Sequence, residues 1–149
     1  MSDVRWTPEM VEERLVEAAD VLKRLPSPRV QGFYSLWPAM APSFDDLVGQ
    51  TPRPMSRPRP QPDAIDRMEQ TFDWFKWLEP EDVKLVWARA ELSPWKMVCW
   101  RFGIARATAH RRCEYALSVI AWRLNGRRVP NKRSRQFLIE RARSVSTGF

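Results

Sequence analysis

The distribution of proline is the feature that most constrains the fold of this chain. Nine of its 13 prolines fall within residues 26–62, ending in the run TPRPMSRPRPQP at 51–62. Proline fixes φ and has no backbone N–H, so this run cannot form a helix or a central strand. We therefore expect residues 26–62 to form a Pro-rich extended segment. Within it, GFYSLW (32–37) is expected to pack against a helix, with a partner-docking peptide as the alternative.

Helical periodicity on both sides of this segment predicts an all-α protein. Residues 1–25 read as an N-terminal amphipathic helix that is capped by Thr7 and starts at Pro8. Its apolar stripe suits packing on the rest of the domain or pairing with a second copy, and the stripe consists of Val11, Leu15, Ala18, Leu22 and Leu25. Asp63 is predicted to cap a second helix, with an apolar face of Ile65, Met68, Phe72, Phe75 and Leu78.

Residues 63–125 are predicted to form a helical domain, in which residues 79–125 contain three short helices. Ser93 is predicted to cap the second of these, Gly103 to end it in the left-handed conformation, and Thr108–Leu124 to form the third. Two helices joined by a short turn with glycine form a helix-turn-helix. The inward residues of the three helices are predicted to be Val83, Val86, Trp87, Ala90, Val98, Cys99, Phe102, Ala109, Cys113, Ala116, Leu117 and Ile120.

Charge is distributed very unevenly along the chain. Residues 1–92 carry 12 Lys/Arg and 16 Asp/Glu, whereas residues 93–149 carry 13 Lys/Arg and only two acids, Glu114 and Glu140. Such asymmetry is typical of a nucleic-acid-binding end. Asn125-Gly126 is predicted to break the third helix. A basic C-terminal extension (126–149) follows, with a short helix near Lys132–Arg143 that places Phe137 and Leu138 on one side.

The first turns of the third helix are the predicted base-reading surface, because the N-terminal end of a recognition helix meets base edges in the major groove. Arg106, Thr108, His110 and Arg111 cluster there. The second helix is expected to hold phosphates as it crosses the DNA backbone. The full set of expected phosphate contacts is Ser93, Lys96, Arg101, Arg112, Arg127, Arg128, Lys132, Arg133 and Arg135.

The run LSPWKMVCWRFGIARATAHRRCEYAL (92–117) resembles the helix-turn-helix of sigma factors that reads the promoter −35 element, a pattern also found in response regulators and phage-encoded relatives. The matching positions are Ser93, Val98, Cys99, Phe102-Gly103-Ile104, Thr108, Ala109, Arg112 and Cys113. The resemblance implies base contacts at Arg106, Ala107, His110 and Arg111. It departs at Ala105, where the family usually has a capping serine. The whole chain is also similar to small proteins of alphaproteobacterial phages and prophages that have no assigned activity.

No catalytic, metal or cofactor site is expected. Ser93–Lys96 matches S-x-x-K, but a helix start explains that spacing and no companion motif is present. The single histidine, His110, leaves no nucleophile–base pair, and the glycines form no phosphate-cradling loop. The charged N-terminus is unlike a signal peptide and no apolar run is long enough to span a membrane, so we expect a cytoplasmic protein without a membrane partner.

The sequence therefore predicts a non-enzymatic helix-turn-helix protein that binds double-stranded DNA, as a phage- or prophage-type transcriptional regulator with a sigma-like recognition helix. One alternative is the small terminase subunit, the DNA-packaging initiator of a phage or gene-transfer particle. Another is an adaptor that docks on RNA polymerase through GFYSLW and the acidic N-terminal half. A homo-oligomer, and contact with RNA polymerase or a phage packaging protein, remain open as further partners.

Overall fold

The computed structural model describes residues 5–26, 57–130 and 134–144. This part of the chain contains six α-helices and no β-strand, so the all-α prediction is confirmed. GFYSLW, most of the Pro-rich segment, Lys132 and Arg133 lie outside the described residues. The helices are α1 (Pro8–Arg24), α2 (Pro62–Asp73), α3 (Pro80–Ala90), α4 (Trp95–Phe102), α5 (Arg106–Leu124) and α6 (Arg135–Ser144), with a 3-10 helix at Trp74–Trp77.

Helix α1 packs inside the domain, which resolves the choice that the sequence left open for its apolar stripe. The Thr7 hydroxyl caps it as predicted, accepting a hydrogen bond from the Met10 amide at 3.3 Å. Val11 and Leu15 are fully buried in the largest core cluster, which also holds residues of α3 and α5. Leu22, predicted to be inward, is instead 43% exposed. Val21 is buried in its place, because α2 packs against Ala18 and Val21.

Helix α5 is the other central element, since α1, α3, α4 and α6 all contact it. Its residues Ala116, Ile120 and Ala121 belong to the largest core cluster, together with Trp74 and Val86. A second cluster joins α3, α4 and α5 through Leu85, Ala88, Val98, Ala109 and Cys113. The three short helices predicted for residues 79–125 are therefore one packed unit, and α1 packs against its α3 and α5.

Three predicted helix starts are wrong. Gln61 and not Asp63 is the N-cap of α2, because Pro62 already occupies its first turn. The N-cap of α4 is Pro94, whose carbonyl accepts the amides of Met97 and Val98, while the Ser93 carbonyl accepts a 2.6 Å bond from Arg89. Helix α5 begins at Arg106, two residues before Thr108, since the good helix formers Arg106 and Ala107 extend it back to Ala105.

The last helix is also shifted from its prediction. It begins at Arg135 and continues to Ser144. Leu138, Ile139 and Ala142 are buried on it, whereas Phe137, predicted on the same side as Leu138, is 37% exposed. The buried residues Leu138, Ile139 and Ala142 have the spacing of one helix face. This is the face of α6 that meets α5.

Candidate nucleic-acid interface

The turn between α4 and α5 is short and its geometry requires glycine. Gly103 has φ +63° and ψ 32°, in the left-handed region that L-residues with side chains rarely adopt. The Ile104 amide then donates to the Cys99 carbonyl at 3.3 Å, which closes the end of α4. Val98 is 1% exposed against the α3 and α5 residues, with Phe102 and Ile104 half-buried beside it. Only three residues, 103–105, separate the two helices.

The first two turns of α5 present a continuous exposed face. Arg106, Ala107, His110 and Arg111 are exposed and line one shallow surface groove. These are four of the five residues predicted to contact bases, and the structure brings them together. Thr108, the fifth, is half-buried on the other side of the helix. Residue 106 and not residue 108 therefore begins the exposed face of α5.

Arg106 and Arg111 form no ion pair with an acid in the described part of the chain. Among the described residues, Arg111 makes a long hydrogen bond, in which its Nε donates to the Ala107 carbonyl at 3.4 Å. Arg106 is the first residue of α5, where the partial positive charge of the helix N-terminus adds to that of its guanidinium. The exposed face is thus an uncompensated cationic surface at the position where α5 starts.

His110 lies at the edge of this face, beside the aromatic side chain that begins α4. Its Nδ1 is 3.6 Å from the Glu114 carboxylate, and its ring centroid is 5.6 Å from that of Trp95. The Arg89 guanidinium covers the same Trp95 ring at 4.2 Å. These contacts fix the orientation between the start of α4 and the exposed face of α5.

Arg112 differs from its neighbours because it is half-buried and paired with acids of α3. Its Nη2 lies 2.9 Å from Oδ1 of Asp82, whose side chain is only 7% exposed, and 3.4 Å from Glu81. Burial lowers the pKa of Arg112, but the charge and hydrogen bonds of Asp82 and Glu81 outweigh burial and raise it above its ordinary value. The predicted phosphate contact of Arg112 therefore competes with an ion pair that joins α5 to α3.

The outer face of α4 combines two cations with two large apolar side chains. Lys96 and Arg101 are exposed, as predicted for phosphate contacts, while Ser93 is half-buried. Between them lie Met97, 47% exposed, and Trp100, 80% exposed. Sequence reasoning missed this apolar pair. A helical projection could have found it, because Trp100 lies nearly opposite Val98 and Phe102 on a helix of 3.6 residues per turn.

The remaining predicted phosphate contacts lie away from α4. Arg127 and Arg128 are exposed after the end of α5, and because that helix has 19 residues they lie on the order of 28 Å along its axis from Arg106. Arg135 begins α6 with its guanidinium 4.9 Å from the centre of the Tyr115 ring, near the middle of α5. The predicted DNA contacts are thus spread along the length of α5.

The side chains that could ligate a metal are dispersed. Within residues 5–26, 57–130 and 134–144, no three His, Cys, Asp or Glu side chains come together as a metal site. Cys113 is buried between α3, α4 and α5, and this burial raises the pKa of its thiol to about 12. The thiol is therefore protonated at neutral pH, the state that makes a poor nucleophile and a poor ligand.

The sequence of this chain matches one known protein family. Residues 23–120 match the family model described as Domain of unknown function (DUF6362). The chain belongs to the DUF6362 family. The DUF6362 match covers α2, α3, α4 and most of α5, and thus the whole exposed face at the start of α5. No curated protein and no solved structure matches the chain. None of the helices described is long and apolar enough to cross a membrane.

Proposed function

We propose that this DUF6362 protein binds double-stranded DNA through a helix-turn-helix made of α4, the turn at 103–105 and α5. The observation that carries the proposal is the exposed face of Arg106, Ala107, His110 and Arg111 at the start of α5. In a helix-turn-helix the corresponding end of the second helix enters the major groove. The short glycine turn and the apolar contact through Val98 support the same reading.

The chemistry of that face suits base edges. A guanidinium donates two parallel hydrogen bonds to O6 and N7 of guanine, the commonest base-specific contact in the major groove. Arg106 and Arg111 have no acidic partner among the described residues, so no ion pair must be broken before they reach DNA. Ala107 leaves room between them and offers a methyl group to a thymine methyl. We assign base contacts to Arg106, Ala107, His110 and Arg111.

Phosphate contacts are assigned to the exposed cations of α4. Lys96 and Arg101 flank the outer face of that helix, where the first helix of the motif crosses the DNA backbone. Arg112 is reassigned from phosphate contact to a structural role, because its guanidinium already pairs with the buried Asp82. Thr108 is half-buried and is reassigned to the interior side of α5.

The biological role that we propose is transcriptional regulation of the phage or prophage type. It rests on the resemblance of residues 92–117 to the sigma-factor motif that reads the promoter −35 element. A regulator must discriminate one duplex sequence from another, and arginine side chains on the exposed face of α5 supply that ability. The proposal therefore requires sequence preference and not DNA affinity alone.

The test is to select a preferred site from random duplex and to compare two variants on selected and scrambled DNA. Arg111→Ala is expected to lose about 5- to 150-fold in affinity for the selected site, from one lost bidentate contact, and much less on scrambled DNA. Lys96→Ala is the matched control, because loss of a phosphate contact weakens both duplexes equally. Equal losses for Arg111→Ala on both duplexes, or no selectable site, would contradict the regulator assignment.

Salt dependence tests the binding mode separately from sequence preference. With the two phosphate contacts assigned to Lys96 and Arg101, affinity is expected to fall about tenfold between 50 and 200 mM salt. Lys76→Ala, which removes an exposed cation paired with Asp73 outside the interface, should leave the slope unchanged. An affinity that does not change with salt would exclude phosphate-dominated binding.

A second candidate function, an adaptor that docks on another protein, is favoured by the outer face of α4. Trp100 and Met97 are exposed there between Lys96 and Arg101. Two such faces would repel each other, so the suited occupant is an apolar protein surface bordered by acids, not a second copy. Trp100→Ser separates the functions, because it should abolish protein docking while it leaves the Lys96 and Arg101 phosphate contacts in place.

A further inference from the structure

Three arginines that are distant in the sequence line one concavity at the C-terminal end of α5. Arg5 precedes α1, Arg127 follows α5, and Arg141 lies on α6; with Ser144 they surround a space of about 190 Å³. That exceeds the roughly 10–15 Å³ that one water molecule requires by this measure. The positions of these three arginines in the sequence do not predict that they lie together. Only the fold brings Arg5 close to Arg127 and Arg141.

Hydrogen bonds hold the Arg5 segment against the end of α5. The Asn125 side chain accepts from the Trp6 amide at 2.8 Å and donates to the Trp6 carbonyl at 2.9 Å. Arg5 is therefore fixed next to the chain that leaves α5. Arg127 is fixed in turn, since its amide donates to the Trp122 carbonyl at 3.1 Å and its guanidinium lies 5.1 Å from the Trp122 ring centre.

Helix α6 supplies the third cation from a rigid position. Leu138 and Ile139 are buried, and Ala142, next to Arg141, is 4% exposed, so the helix is anchored to α5 on one side. Arg141 itself is exposed. The Ser144 hydroxyl donates to the Arg141 carbonyl at 2.9 Å, which holds Ser144 at this end of α6.

Three like charges in one concavity need a counter-charge. No ion pair joins Arg5, Arg127 or Arg141 to an acid within the described ranges. The C-terminal end of α5 contributes only about half a negative charge. Guanidiniums match the geometry of phosphate oxygens through parallel N–H donors, so a phosphate dianion supplies both the missing charge and the missing acceptors.

We propose that Arg5, Arg127 and Arg141 form a phosphate-binding pocket, separate from the base-reading face. The pocket lies on the order of 28 Å along α5 from Arg106, too far for one phosphate group to contact both. Its phosphate comes either from the backbone of a duplex, about eight base pairs from the bases that are read, or from a free phosphate compound. The proposal does not depend on DNA binding, because the second source requires none.

The first arm of the test measures thermal unfolding of the full chain with sodium pyrophosphate against sodium chloride at equal ionic strength. A free-phosphate pocket predicts a rise in melting temperature that Arg127→Gln and Arg141→Gln each abolish. Arg123→Gln is the matched control, since it removes an exposed cation from the last turn of α5 that does not line the concavity.

The second arm measures affinity for a 12-base-pair and a 30-base-pair duplex that share the same selected or arbitrary centre. A pocket for backbone phosphate predicts that Arg141→Gln weakens binding of the long duplex about tenfold or more and the short one much less. An effect in either arm, absent from Arg123→Gln, supports the pocket and identifies its source. No effect in both arms, or equal effects of Arg123→Gln, overturns it. The pyrophosphate arm contains no DNA, so a protein that fails to bind duplex still tests the pocket there.

Discussion

Replacement of Arg112 by alanine removes the guanidinium that joins α5 to α3. Arg112 Nη2 and Nε lie 2.9 and 3.1 Å from the same Asp82 oxygen, Oδ1. In Arg112→Ala the Asp82 carboxylate stays buried without its cation. The remaining favourable charge is that of the α3 N-terminus, because Asp82 lies in the first turn of that helix.

The burial of the two side chains sets the size of the effect. An exposed ion pair contributes about 0–1 kcal/mol, and removal of one partner from a fully buried pair costs about 3–5 kcal/mol. Asp82 is 7% exposed but Arg112 is 27% exposed, so the pair lies between these limits. The favourable interaction between the Asp82 carboxylate and the N-terminus of α3 reduces this loss by about 0.3–1 kcal/mol. We therefore expect Arg112→Ala to lower the free energy of unfolding by about 2–3 kcal/mol.

Urea unfolding of four proteins measures this directly: wild type, Arg112→Ala, Asp82→Ala and the double variant. Asp82→Ala should cost less than Arg112→Ala, because the freed guanidinium is already partly in water. The expected coupling energy of the cycle is about 1–2 kcal/mol, with Lys84→Ala as an exposed control on α3. Strictly additive losses would show that the pair contributes nothing, and Arg112 would again be available for phosphate.

Two further predictions concern the core and the buried thiol. Ile120→Ala, at a fully buried position, should lower the free energy of unfolding in denaturant by about 2–5 kcal/mol. Met97→Ala, at an exposed position, should lower it by less than about 0.5 kcal/mol. Equal losses would show that Ile120 is not in the core. Because burial raises the Cys113 pKa to about 12, its protonated form stabilises the fold up to about pH 8.5, and this contribution fades as pH rises towards 12. Iodoacetamide at pH 8 should label Cys113 only when the protein is unfolded in urea, as measured by mass spectrometry. Rapid labelling of the folded protein would contradict the burial of this thiol.

The sequence predicted helix existence well, because apolar spacing and proline positions are local signals. Pro8, Pro80 and Pro94 each stand at or next to a helix start, and Gly103 adopts the left-handed conformation expected of it. Boundaries were less predictable. Thr108 was predicted to begin α5, but Arg106 and Ala107 have the helix propensity to extend it back to residue 106. No feature of the sequence distinguishes between these two starts.

Tertiary contacts decided the rest of the candidate site. The pairing of Arg112 with Asp82 joins residues 30 positions apart, so a cluster of arginines in the sequence did not distinguish it from Arg111. The grouping of Arg5 with Arg141 depends on how Asn125 binds the Trp6 backbone. Neither contact has a periodicity or spacing that a sequence reveals.

The central claim is that duplex DNA binds at the start of α5. Its most direct test is the backbone amide NMR spectrum of isotope-labelled protein, titrated with a short duplex of arbitrary sequence at low salt. The account predicts the largest shifts at residues 106–111, smaller ones at 96–101, and none in α2, which lies against α1. An unchanged spectrum, or shifts that are largest in α2, would contradict it.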